Sequence, residues 1–143
     1  MALIEFNPTY NEMYEILNQY RVIMKEYQQM FISAASLDDS MANTYKNYLD
    51  IENKYLLFKE AVDYSKMTSK IRKFGNKTLR EFEIELEKAE NKKNILMGMV
   101  SESDNVATKQ SIIDELGSTL EEISKLKVDI KYIESNYKVN IAN

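Results

Sequence analysis

Two groups of ionisable side chains have residue types and spacing that suggest chemistry. The first is a run of four glutamates at alternate positions, a pattern that invites comparison with paired carboxylates in acid–base or metal sites. Helical metal sites usually pair glutamate with a histidine three residues on, and this chain has no His. The run also lies off the apolar stripe of its predicted helix, so we interpret it as solvent-exposed. Its members are Glu81, Glu83, Glu85 and Glu87.

The second group is a basic cluster between residues 64 and 80, where six Lys or Arg side chains occur beside a Phe without any Asp or Glu. Clustered basic residues beside an aromatic ring are typical of contacts with phosphates or an acidic partner. Two features favour a solvent-exposed turn instead: basic side chains complement a helix carboxyl end, and the glutamate run would neutralise them. A net charge of -4 argues against nucleic acid. The candidate partner-binding residues are Lys66, Lys70, Arg72, Lys73, Lys77, Arg80 and Phe74.

The absence of His and Cys excludes most other kinds of site. A chain that contains neither cannot build a Cys/His zinc site, a thiolate nucleophile, a Ser-His-Asp triad or a disulfide. The sequence also lacks a phosphate-binding glycine loop, a nucleophile elbow and an EF-hand loop. We therefore predict that the protein is not an enzyme and that it holds no cofactor and no metal.

Helical periodicity accounts for most of the apolar residues. One Pro and three Gly leave too little turn chemistry for a many-stranded sheet. The apolar residues of the first helix step by three and four, which is the heptad spacing of coiled coils. A second row, Ile16, Ile23 and Met30, widens this stripe towards the face that a bundle needs. The candidate face for helix packing or oligomer formation comprises Tyr10, Met13, Leu17, Tyr20, Met24, Tyr27 and Phe31.

Turn and capping residues divide the chain into four predicted helices. Gly75 is suited to end the second helix, and Thr78 with Glu81 predicts a capping box for the third. The polar segment 101–105 separates the third helix from the fourth, in which Gly117 predicts a close helix crossing or a bend. The predicted helices span about residues 8–35, 37–74, 78–100 and 106–139, with the main turn at 75–78.

The remaining boundaries depend on weaker signals. Asn7 is predicted to cap the first helix, with Pro8 at its first position. Ser36 begins a polar stretch without Gly or Pro, so helices 1 and 2 are either separate or continuous. The final VNIAN is expected to be unstructured.

Together these helices predict an all-α fold, an elongated bundle of three to four long amphipathic helices with coiled-coil packing, in a single domain over residues 1–143. A helix over 37–74 is roughly 57 Å long, which is too long for a compact domain whose radius of gyration is about 14–15 Å. Helices of unequal length also leave apolar faces uncovered. Copies of the chain or a partner helix would cover them.

The tyrosines are concentrated in the first half of the chain, with eight of the ten between Tyr10 and Tyr64. In one interpretation their rings fill a wide helix–helix seam and keep their hydroxyls at its edge. In the other they form an aromatic recognition surface of the kind common at protein interfaces.

These features lead to three hypotheses for function. The first is a non-enzymatic helical protein–protein interaction module, an adaptor, inhibitor or chaperone that acts through an apolar and aromatic helix face. The alternative is a self-assembling structural or scaffold component of a phage, a virus or a secretion apparatus. A third is a nucleic-acid-associated protein that uses the basic turn at 66–80. The expected partners are another protein or further copies of the chain in a homo-oligomer.

Targeting signals are absent from the sequence as given. Its longest uncharged stretch is shorter than the roughly 20 apolar residues that span a bilayer, and its first residues lack the basic and apolar regions of a signal peptide. We predict a soluble cytoplasmic protein, with signal-less export or a place in a virion as alternatives. Lys, Asn, Ile and Tyr make up 53 of 143 residues, which is typical of a low-GC bacterial, phage or viral genome.

Overall fold

The computed structural model describes residues 7–33 and 39–141, and in these ranges the chain is all-α apart from one small hairpin. The helices are α1 (Tyr10–Ser33), α2 (Asp39–Thr68), α3 (Leu79–Glu102) and α4 (Val106–Asn136), and the strands are β1 (Lys70–Ile71) and β2 (Lys77–Thr78). The predicted boundary near Ser36 lies outside the described residues. The chain divides into two compact units: unit 1 runs up to Ser65 and resumes at Glu134, and unit 2 is Lys66–Ile133.

The cap of α1 is Thr9, and the prediction of Asn7 is wrong. The Glu12 N–H donates to Thr9 Oγ1 at 3.2 Å, and the Thr9 N–H donates to Glu12 Oε1 at 3.1 Å. These reciprocal bonds form a capping box. The bonds from the Thr9 N–H and hydroxyl, helped by the charge of Lys138, lower the pKa of the Glu12 carboxyl below its ordinary value because they stabilise the ionised form.

The second helix ends at Thr68 rather than near residue 74, because residues 70–78 form an antiparallel hairpin. The chain reverses through a single 3-10 turn followed by Gly75 and Asn76, both in the left-handed region with φ of +68° and +62°. In the sequence, Ile71 continues the helical spacing of the apolar residues before it. In the structure it lies in strand β1, and its side chain is buried. The paired positions are Lys70 with Thr78 and Ile71 with Lys77.

The beginning of α3 is the capping box predicted from the sequence. The Glu81 N–H donates to Thr78 Oγ1 at 3.2 Å, and the Thr78 N–H donates to Glu81 Oε2 at 3.3 Å. The helix continues to Glu102. The Thr108 N–H then donates to Asn105 Oδ1 at 3.1 Å, which caps the start of α4.

Gly75 and Gly117 differ in backbone conformation but not in the space around them. A Cβ at Gly75 or at Gly117 would meet no heavy atom within 4 Å, but only Gly75 has a positive φ. A close helix crossing at Gly117, one of the two predicted roles, is therefore wrong. We expect Gly75→Ala to lower the free energy of unfolding by about 1–2 kcal/mol, and Gly117→Ala to raise it by about 0.5–1 kcal/mol because alanine favours helix. Urea denaturation measures both, and shifts of the same sign would contradict this explanation.

The chain after α4 belongs to the core of unit 1, so the expectation of an unstructured end is wrong for Val139 and Asn140. Val139 is 1% exposed, and its N–H donates to the Pro8 carbonyl at 2.8 Å. The Asn140 N–H donates to Ser65 Oγ at 3.0 Å. We call residues 134–141 the C-terminal segment. It closes unit 1 by bonding to chain segments that are far away in the sequence.

Each unit buries apolar side chains from several elements. In unit 2, two ion pairs link α3 to α4: Lys92 with Glu115 at 3.1 Å and Glu90 with Lys127 at 3.7 Å. The buried hydrophobic residues of unit 1 are Tyr10, Met13, Leu17, Val62 and Val139. Those of unit 2 are Ile71, Leu79, Phe82, Ala89, Leu96, Ile112, Ile123, Leu126 and Ile133.

Candidate functional site

Three of the four side chains of the glutamate run cap a helix or pair with cations. Glu81 closes the capping box of α3, and Glu87 is exposed. Glu83 and Glu85 accept ion pairs from the basic cluster. No group of three or more acidic residues in the part of the chain that the structure describes is arranged to hold a metal ion.

Three members of the basic cluster are neutralised by this run, as the charge pattern indicated. Lys66 Nζ lies 3.0 Å from Glu83 Oε2, and Lys77 Nζ lies 2.6 Å from Glu85 Oε1. Arg80 approaches the other oxygen of Glu83 at 3.7 Å. Lys66 and Lys77 are half-buried, which reduces screening of their pairs by solvent. The Lys77 pair therefore joins the hairpin to α3, and the Lys66 pair joins the end of α2 to α3, whereas the Arg80 pair lies within α3.

The other three cations of the cluster have no carboxylate partner among the described residues. Lys70, Arg72 and Lys73 are exposed, and we call them the cationic turn. Lys70 and Arg72 stand on either side of the buried Ile71. The structure thus divides the six predicted basic residues into a neutralised set and a set that stays open to anions.

Phe74 attaches the turn to the core of unit 2. Its ring meets Phe82 edge-on with centroids 5.3 Å apart, and meets Tyr132 in the same manner at 6.2 Å. Lys73 Nζ lies 3.9 Å from the centroid of the Tyr132 ring, within the range of a cation–π contact. Sequence reasoning did not identify Tyr132, because it comes from α4 and only tertiary packing brings it to the turn.

A second candidate surface lies on the pair of helices α1 and α2 in unit 1. Their aromatic rings contact one another along the seam: Tyr20 stacks on Phe58 at 6.0 Å, and Tyr27 meets Tyr48 edge-on at 6.3 Å. Two hydroxyls bond to polar side chains beside the seam, as the first interpretation of the tyrosines predicted, whereas Tyr10 is 2% exposed and the Tyr14 hydroxyl is buried. Tyr48 accepts from Gln28 Nε2 at 3.1 Å and donates to Glu52 at 2.8 Å, and Tyr55 accepts from Arg21 Nε at 2.9 Å.

Burial along this helix pair falls off in one direction. Close to the C-terminal segment, the stripe residues Tyr10, Met13 and Leu17 of α1 are buried, as are Val62 and Ser65 of α2. The part of the pair further from the C-terminal segment comprises residues 20–33 of α1 and 41–58 of α2, and we call it the outer segment. None of the described side chains of the outer segment is buried. Its four stripe residues on α1 are half-buried: Tyr20, Met24, Tyr27 and Phe31.

The outer segment also exposes the flanking apolar row of α1. Ile23 is 37% exposed and Met30 49% exposed, and together with Glu26 and Tyr27 they line a shallow groove. The same row was predicted to widen the stripe for a bundle. Two helices alone cannot cover both sides of such a row, so it faces solvent here.

Comparison with known proteins adds no family to these observations. The chain matches no protein-family model, no curated protein and no solved structure. Within the described ranges, none of the helices combines the length and the apolarity that crossing a bilayer requires. The candidate surfaces are therefore interpreted from their own chemistry.

Proposed function

We propose that the chain is a non-enzymatic protein–protein interaction module, which binds a partner protein along the outer segment of its helix pair. The observation that carries the proposal is the fall in burial along α1, from the buried Met13 and Leu17 to the half-exposed Tyr27 and Phe31 on one continuous stripe. A stripe of constant apolar character with uneven burial indicates a surface that is only partly used within the chain.

The composition of the outer segment supports this proposal. Tyrosine, phenylalanine and methionine are enriched at the centres of protein interfaces because large rings bury much surface and the flexible thioether of methionine adapts to irregular surfaces. The ring contacts of Phe31 with Tyr45 at 5.8 Å and with Tyr48 at 6.1 Å hold these side chains in place before binding. A preorganised surface loses less side-chain freedom when a partner binds.

The spacing supports an α-helix as the element that the partner contributes. Along α1, the residues Tyr20, Met24, Tyr27 and Phe31 follow one another at steps of four, three and four, which is the spacing of coiled-coil packing. An amphipathic helix laid along this stripe would cover the stripe together with the flanking row of Ile23 and Met30. In this proposal the heptad pattern serves the contact with the partner.

The test introduces charged side chains into the exposed row of Ile23 and Met30 and leaves the buried core residues unchanged. We expect Ile23→Glu with Met30→Glu to reduce capture of the partner at least about tenfold, because two carboxylates would lose their hydration in the interface. The matched control is Ile95→Glu with Met97→Glu, which changes the same residue types at positions of α3 that are 63% and 54% exposed. Each variant serves as bait in a pull-down from lysate of the source organism, quantified by mass spectrometry.

The outcomes of this experiment separate the hypotheses. The proposal is supported if the wild-type bait captures a different protein, the α1 variant loses it and the α3 control retains it. Equal capture by both baits would refute the outer segment as the binding surface. If the wild-type bait recovers only itself, and sedimentation shows that the α1 variant dissociates an oligomer, the surface is covered by copies of the chain and the self-assembly hypothesis replaces the proposal.

A further inference from the structure

We propose that the cationic turn of unit 2 is a second interaction site, which binds an acidic, extended segment of a protein. This site is independent of the outer segment and differs from it in chemistry. It consists of Lys70 on strand β1 and of Arg72 and Lys73 in the 3-10 turn that follows, and all three are exposed.

The ion pairs of the basic cluster show which cations are available. Glutamates of α3 neutralise Lys66, Lys77 and Arg80 at 2.6–3.7 Å. In the described ranges no ion pair reaches Lys70, Arg72 or Lys73. A helix dipole does not account for these three residues, since Lys66 already occupies the last turn of α2. No carboxylate in the described ranges therefore neutralises these three cations, although Lys73 Nζ lies over the Tyr132 ring.

The backbone that carries these cations is held in one conformation. Strand pairing joins Ile71 to Lys77, and the Asn76 N–H donates to the Ile71 carbonyl at 3.0 Å. The edge-on contact of Phe74 with Phe82 attaches the tip to the core of unit 2. Since the backbone is already fixed, an anion that binds here loses little affinity to ordering of the protein.

The positions of the cations favour an extended peptide. Lys70 and Arg72 are two residues apart on either side of the buried Ile71, which places them about 6–7 Å apart along an extended chain. Carboxylates at alternate positions of an extended acidic segment have the same repeat. Lys73 follows Arg72 in the 3-10 turn, and its Nζ lies over the Tyr132 ring.

The number of cations argues against nucleic acid as the ligand. Affinity for nucleic acid rises with the number of phosphates that Lys and Arg neutralise, and the turn offers only three cations on a chain of net charge -4. A short acidic segment with two or three carboxylates matches this number. The third hypothesis from the sequence, a nucleic-acid-associated protein, becomes an outcome of the test.

The experiment is an NMR titration of the isotope-labelled full chain with an octapeptide of alternating Glu and Ser, followed through the amide signals of residues 70–78. We expect these signals to shift, and the affinity of the variant Lys70→Gln, Arg72→Gln, Lys73→Gln to fall roughly tenfold, because an exposed ion pair contributes about two- to fivefold. The control, Lys88→Gln, Lys109→Gln, Lys125→Gln, removes the same charge from three exposed lysines elsewhere in the chain. It should retain the wild-type affinity.

Three results would overturn this inference. One is an absence of shifts at about 20 mM salt, where exposed charges are least screened. Another is an equal loss of affinity in both variants, which would show a response to net charge alone. The third is tighter binding of a single-stranded DNA of eight thymidines than of the peptide, which would assign the turn to nucleic acid.

Discussion

Phe82→Ala is expected to lower the free energy of unfolding by about 3–5 kcal/mol, the usual cost of removing a buried aromatic ring. Phe82 is 4% exposed and lies in the first turns of α3. Its ring receives the edge of Phe74 at 5.3 Å and lies 5.0 Å from Lys77 Nζ. The substitution therefore removes core packing of unit 2 and the support of the hairpin at the same time.

Urea denaturation measures the total cost, and amide hydrogen exchange shows where the loss occurs. We expect protection to fall throughout residues 70–82. Phe82→Leu is the control, because it keeps most of the volume and should cost less than about 1.5 kcal/mol. If both substitutions cost the same, the loss of the aromatic ring and its contact with Phe74 would account for the destabilisation, and the explanation from buried volume would be wrong.

Deletion of residues 139–143 should destabilise unit 1 by about 3–5 kcal/mol, the sum of the burial of one valine and two buried hydrogen bonds. The deletion removes the side chain of Val139 and the N–H groups that donate to the Pro8 carbonyl and to Ser65 Oγ. Ser65 is buried in the intact chain, and its hydroxyl would lose the N–H of Asn140 as a donor.

The matched control for this deletion removes only residues 142 and 143, and it should leave stability within about 0.5 kcal/mol of the wild type. Thermal unfolding and hydrogen exchange of α1 report the difference. If the two deletions had equal effects, the C-terminal segment would not contribute to the core of unit 1. The variant that lacks only residues 142 and 143 should keep the ring contacts of the outer segment. It is therefore a suitable bait for the partner experiment.

The two proposed interaction surfaces differ in how much of each could be predicted from the sequence. The basic residues and the glutamates that neutralise some of them were identified because charge runs are visible in the sequence. The sequence did not show which cations lack a carboxylate partner, since the pairing of Lys66 with Glu83 depends on where the hairpin places α3 relative to the end of α2. The stripe on α1 was identified by its spacing, but its gradient of burial depends on the distant C-terminal segment.

By itself, the sequence determined the all-α class, the capping box at Thr78 and Glu81, and the polar break before α4. These features arise from interactions among residues three or four positions apart, which a linear pattern records. Only the tertiary structure decided where α2 ends and that Val139 is buried. Ile71 fits a helical stripe as well as a strand, and its strand pairing with Lys77 decides between them. From the sequence, Val139 is expected to belong to an unstructured chain end. In the structure the Pro8 carbonyl, distant in the sequence, accepts its N–H.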